Sequence, residues 1–136
     1  MKNLKINPDI GLLILRVSVA ALMLLHGIPK LIYGVESIQQ LLISKGLPGF
    51  AAYGVYIGEV VAPILLIAGF RARLASLVFV INMIVIIITA HSNEVFAIGK
   101  YGGLQLELIY LYMTGALSIF FTGAGKLAIS TRSKWD

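Results

Sequence analysis

Residues 9–33 read DIGLLILRVSVAALMLLHGIPKLIY, a run apolar enough to cross a bilayer that nevertheless carries Arg16, His26 and Lys30. About 20 mainly apolar residues, each rising ~1.5 Å, cover the ~30 Å hydrocarbon core, so this run predicts a membrane-spanning helix. A charged side chain at the centre of such a helix costs at least ~2.5–3.5 kcal/mol if it faces lipid. The three nitrogen-bearing groups are therefore expected to turn inward and meet partners on other helices. Lys2 and Lys5 precede the run, as in a signal peptide. Its length, Arg16 and the lack of a small-residue cleavage pattern instead predict a retained helix.

Working outward, similar runs occupy about residues 50–70, 73–91 and 104–122, and they hold Glu59, Asn82 and Glu107. The expected fold is all-α: one domain over residues 1–136, an integral-membrane four-helix bundle. The longest connection, near Gly34 to Gly49, contains Val35-Glu36-Ser37-Ile38-Gln39-Gln40-Leu41-Leu42, whose apolar residues recur at helical spacing. It predicts a short interfacial helix in the first loop that could cap the bundle. Gly69-Phe70-Arg71-Ala72-Arg73 predicts a tight turn, and Lys100-Tyr101-Gly102-Gly103 a flexible entry to the last helix.

Composition agrees: 59% of residues are hydrophobic and 12% charged, with a mean hydropathy of +0.94. A soluble domain of this size needs more polar surface. The net charge of +5 does not point to nucleic acid, because the basic residues lie beside hydrophobic runs, where anionic lipid headgroups explain them. Lys2, Lys5, Arg71, Arg73, Lys126, Arg132 and Lys134 fall on one side, while Lys30, Lys45 and Lys100 fall toward the other. Positively charged loops stay inside, so the chain is expected in the cytoplasmic membrane, multi-pass, with both termini cytoplasmic. With no cysteine, the chain can offer neither a disulfide relay nor thiolate ligands.

Spacing assigns the polar residues to faces. Arg16, Met23 and Lys30, seven apart, form one stripe bordered by His26; Asn82 and Thr89 share a face of the third helix; Glu107, Tyr110, Thr114 and Ser118 share one on the last. Counting depth at ~1.5 Å per residue pairs Lys30 with Glu107 near the outer end and Arg16 with Glu59 deeper. His26 is left between the pairs as a proton-transfer candidate. Structural ion pairing, helix-end snorkelling and simple backbone bonding are the plainer roles for these groups. His91 is expected at the interface, too far from His26 in depth for a metal pair, and no metal site is assigned.

Pro63 has no amide for the carbonyl of Glu59, and Pro29 none for that of Leu25, which predicts bends near Glu59 and His26. Gly54-x-x-x-Gly58 permits close helix approach, either within the bundle or in a homo-oligomer. Tyr53, Tyr56, Tyr101, Tyr110 and Tyr112 are expected along the outer interface, where they could also face a planar ring. Gly123-Ala124-Gly125-Lys126 is not a phosphate loop, because Phe120 stands where the opening glycine belongs and Leu127 replaces Ser or Thr.

The ordered set Leu15-Arg16-Val17, Leu25-His26-Gly27-Ile28-Pro29-Lys30-Leu31, Gly58-Glu59, Leu66-Ile67-Ala68-Gly69-Phe70-Arg71-Ala72-Arg73 and Gly102-Gly103-Leu104-Gln105-Leu106-Glu107 resembles the DoxX family over nearly the whole chain. The resemblance implies a small four-helix protein of the bacterial or archaeal cytoplasmic membrane. Family members are associated with quinone-linked sulfur-compound oxidation or with membrane oxidoreductase complexes. A family-like Gly-x-Gly ending stands at Gly123-Ala124-Gly125, but Ile129-Ser130-Thr131 lacks the acidic residue expected after the serine.

The function expected from these residues is an integral-membrane subunit of an oxidoreductase system that binds a quinone-like carrier in an internal polar site. His26, Lys30, Glu59 and Glu107 are the candidates for managing protons, and Arg16, Asn82, Tyr56 and Tyr110 for binding or structural pairing. The sequence carries no haem-type His pair at matched depth and no flavin or nicotinamide motif. No cofactor is assigned, a quinone is expected as a substrate, and whether the chain is itself catalytic stays open. The bilayer is the first partner and a redox enzyme the second. Two alternatives remain: a non-catalytic scaffold for such an enzyme, contacting it through Gly54 and Gly58, and a small proton or solute transporter.

Overall fold

The computed structural model describes residues 7–136. Lys2 and Lys5, used above for orientation, lie outside the described residues. Helix α1 spans Pro8–Tyr33 and α2 spans Glu36–Ser44. Helix α3 covers Gly49–Ala68, α4 Ala72–Ala90 and α5 Glu107–Thr122. No strand forms among the described residues, and one isolated bridge joins Ile98 to Leu104 in the last loop. Helices α1, α3 and α4 are long and apolar enough to cross a membrane. Helix α5 is apolar but has 16 residues, about 24 Å at the α-helical rise.

Local sequence explains the ends. Asn7 caps α1 by accepting from the Ile10 amide at 3.3 Å, with Pro8 in the first turn, where its missing N–H is not needed. Gly34, at φ 86°, ends the helix and donates to the Lys30 carbonyl at 2.9 Å. The turn after α3 is a Schellman closure: Phe70 N–H bonds Leu65 O at 3.0 Å and Gly69 N–H bonds Leu66 O at 3.1 Å. Gly69 is left-handed, and a Cβ there would press on Ala128 and the Arg16 guanidinium.

Helix α1 packs against α3 and α5, and α4 packs against α3 and α5. Apolar groups gain little by leaving lipid for protein, so close packing must hold such helices together, and small residues favour it. Ala20, Ala62, Ala72, Ala75 and Ala116 are accordingly buried at the contacts, around Phe79, Leu66, Met83 and Ile119. Ile14, Leu25, Ile32, Ile88, Leu111 and Phe121 point outward, as a lipid-facing surface requires. Helix α2 forms in the first loop as expected and buries Leu42 with Val35, Ala52 and Val55 in a smaller cluster.

The two proline effects differ. Before Pro63 the helix widens into a π turn over Ile57–Val61, and the Ala62 amide bonds the Ile57 carbonyl five residues back. Helix α1, in contrast, runs unbroken from Pro8 to Tyr33 through Pro29. The aromatic belt also needs correction. Tyr53 and Tyr101 are exposed with Tyr33, Phe50 and Phe96, but Tyr112 is buried in the core against Phe79, with ring centroids 6.2 Å apart. Tyr56 and Tyr110 are half-buried and bond backbone carbonyls, of Lys30 at 2.9 Å and Val95 at 2.6 Å.

Beyond α5 the chain folds back across the end where α1 starts. Ile129 and Ser130 donate to the carbonyls of Ala68 and Gly69, and Arg73 donates to Trp135. Asp136 gathers this segment: its carboxylate accepts from the amides of Arg71, Arg132 and Ser133 and from the Ser130 hydroxyl, 3.6 Å from the Arg71 guanidinium. The acid missing directly after Ser130 is thus supplied six residues later. These bonds, that from Ser133 foremost, hold the Asp136 carboxyl below the usual range despite its burial. They also hold Arg71 left-handed at φ 51°, unusual for a residue with a Cβ.

Candidate functional site

The inward charges meet, but in different pairs from those counted by depth. Lys30 of α1 forms an ion pair with Glu59 of α3; their side chains are 26% and 3% exposed. Arg16, 2% exposed, instead donates to the carbonyls of Ala124 at 2.8 Å and Leu127 at 2.7 Å in the folded-back segment. Glu107 is exposed in the first turn of α5, where a carboxylate suits the positive end of the helix dipole. Neither Arg16–Glu59 nor Lys30–Glu107 forms.

The register of α1 against α3 gives the reason. A Cβ on Gly27 would collide with the Glu59 carbonyl, so glycine there lets the two backbones touch at that level. The carbonyl that Pro63 cannot bond therefore faces Gly27, and Lys30, one turn further along, reaches the Glu59 carboxylate. Arg16 lies 11 residues before Gly27, about 16 Å away along the helix. Tyr56 reinforces the site by bonding the Lys30 carbonyl.

Asn82 packs from α4. It lies against Gly58, where a Cβ would strike its amide, and its buried Nδ2 has no hydrogen-bond partner. Gly58 thus serves packing within the chain, whereas Gly54 has open space beside it. Asn82 and Thr89 line a cavity of about 520 Å3 with Lys30 and Glu59. Its other walls are mainly apolar, from Ile38, Leu41 and Leu42 of α2, Val55 and Ile57 of α3, and Val78, Ile81 and Val85 of α4. Predominantly apolar walls with a few convergent polar groups, at this volume, characterise small-molecule sites.

A second cavity of about 240 Å3 lies toward α5, lined by His26, His91, Tyr112 and the opposite side of the Lys30–Glu59 pair. The two histidines, which depth counting separated, border the same space. His91 belongs to the turn after α4, and its Nδ1 lies 2.7 Å from the Glu94 carboxylate. His26 meets Tyr112 edge to face at 6.1 Å. No group of three or more potential metal ligands assembles among the described residues. Thr114 and Ser118 of the expected polar face are exposed, and Tyr110 turns to the last loop, so Tyr112 carries α5 into the site.

Sequence reasoning found the Asn82–Thr89 face through its spacing of seven but put Tyr112 at the outer interface, whereas it is buried beside His26. It also missed Asp136, since nothing local marks a carboxylate that gathers donors from a turn distant in sequence.

The fold and site define a multi-pass helical membrane protein with an internal ion pair. The chain belongs to the DoxX family, whose model matches residues 11–92. A relative named "Putative oxidoreductase CatD", from Bacillus subtilis (strain 168), is 30% identical over 121 residues, covering 89% of this chain and 85% of the relative. No solved structure matches the chain.

Proposed function

We propose that this chain is a membrane subunit of an oxidoreductase system and binds a lipophilic, quinone-like carrier in the larger cavity. The carrier's ring would lie among Ile81, Val85 and Leu41, with an oxygen at the polar end. The carrying observation is that end: the Asn82 Nδ2 donor, buried and unpartnered, beside the Lys30–Glu59 pair in an otherwise apolar cavity of about 520 Å3. An unmet buried donor costs about 1–3 kcal/mol, and since Asn82 lines the cavity, a turn of its amide would bring Nδ2 to a ligand carbonyl and relieve it. Lys30 and Glu59 are the candidate proton handlers, with His26 behind them; Glu107 lines neither cavity and drops out. The name of the Bacillus relative supports the oxidoreductase connection.

In this reading α1, α3, α4 and α5 form one four-helix transmembrane domain in the cytoplasmic membrane. Arg71, Arg73, Lys126, Arg132 and Lys134 then stand on the cytoplasmic side with both termini. Binding of decylubiquinone and menadione to protein in nanodiscs tests it. Saturable binding that weakens about tenfold or more in Asn82→Leu, the worth of about one hydrogen bond, is expected. Absence of saturable binding by either quinone overturns it.

A further inference from the structure

Lys30, Glu59 and Ile86 line both cavities, so the ion pair is part of the wall between them. The two spaces differ in kind. The larger is apolar except at its end, and the smaller is bordered by His26, His91 and Tyr112 within about 240 Å3, room for roughly eight waters at ~30 Å3 each. His26 is exposed and His91 half-exposed beside this cavity, and His91 lies in the turn that opens the last loop.

We infer that the smaller cavity is a proton port: Glu59 exchanges protons with water through the chamber of His26 and His91, while the larger cavity is kept for a lipophilic occupant. The inference rests on the reading of the larger cavity as a carrier site, because it names how that site is supplied with protons. Each passage moves one proton and no electrons. His26 takes a proton from water at a ring nitrogen and releases it, through water in the chamber, to the Glu59 carboxylate. The imidazole returns to its neutral form. The charged and titratable groups around Glu59 are Lys30 and His26 of α1, Tyr112 of α5, and His91 with its partner Glu94 after α4. Asn82 faces the pair from the other cavity and cannot titrate. An imidazole is suited to the relay because it gains and loses protons near neutral pH.

Rapid acidification of the protein in nanodiscs, followed by the infrared C=O stretch of protonated Glu59, measures the exchange; the band is assigned by its absence in Glu59→Gln. Ile109→Trp fills the smaller cavity and is expected to slow protonation at least tenfold; Leu108→Trp is the second plug if the first does not purify folded. Ile81→Trp fills the larger cavity and is expected to abolish decylubiquinone binding while the protonation rate stays within twofold. His26→Ala is expected to be slow and to recover on adding free imidazole, which a packing role would not produce. Wild-type rates in both plugged variants, slowing by Ile81→Trp instead, or slow His26→Ala without imidazole rescue would each overturn the port. If wild-type protein binds no quinone, the carrier reading fails alone, since the protonation rates judge the port without any ligand.

Discussion

Separating Lys30 from Glu59 should destabilise the protein unequally, depending on which charge is left behind. Removing one member of a buried pair costs about 3–5 kcal/mol, because the survivor stays desolvated without compensation. Glu59 is 3% exposed on a π turn level with Gly27, and its short side chain cannot carry the carboxylate out to the interface. Lys30→Gln should therefore fall at the upper end, about 5 kcal/mol. Lys30 is 26% exposed near the end of α1 and can swing its ammonium toward the interface, so Glu59→Gln should cost about 3 kcal/mol. The double variant Lys30→Met, Glu59→Leu removes both charges and should lie within about 1–2 kcal/mol of wild type, since apolar replacement of a buried pair is often neutral. Reversible SDS unfolding in mixed micelles, followed by circular dichroism, gives these free energies together with those of Lys30→Met and Glu59→Leu alone, which close the cycle with the double variant. Additive effects, with a coupling energy under about 0.5 kcal/mol, would refute the pairing. A larger loss in Glu59→Gln than in Lys30→Gln would refute the argument from exposure.

Three further outcomes follow from the packing and the folded-back segment. Gly27→Ala should cost about 1–3 kcal/mol in the same unfolding assay, because its methyl must push α1 off the Glu59 carbonyl, whereas Gly46→Ala, with no atom nearby, carries only the strain of its left-handed backbone. Arg16→Gln should loosen residues 123–128, since two tethering carbonyls lose their donor; mapped by trypsin, Lys126 should be cut faster than in wild type. The Asp136 contacts should hold at pH 7 and pH 5 and weaken as the pH drops below about 4. The sign follows from a carboxyl pKa lowered by folding: its contribution is complete above the ordinary carboxylate value and lost as pH falls through the folded one. Hydrogen exchange of the Arg71, Arg132 and Ser133 amides reads this directly, and release already at pH 6 would contradict it.

Much of the architecture was legible because hydrocarbon is an unforgiving solvent. The run of residues 9–33 could only be a long helix, and the observed α1 differs from it by one residue at its start. Helices α3 and α4 appear close to the expected 50–70 and 73–91. The last helix starts later than 104, because Leu104 is engaged in the bridge to Ile98 and Glu107 takes the first turn. Depth counting failed for the pairs because it assumes that helices align by their ends. Here a single glycine and a π turn set the register, shifting Lys30 rather than Arg16 to the level of Glu59.

The sequence alone determined that the long apolar helices form and that Arg16, Lys30 and Glu59 must avoid lipid, since hydrophobic length and the cost of bare charge are local properties. Only the tertiary structure decided who meets whom: the touch of Gly27 on the Glu59 carbonyl, the carbonyls of Ala124 and Leu127 around Arg16, and the ion pair between two cavities. Those choices depend on sub-ångström fit between distant segments, which no periodicity along the chain records.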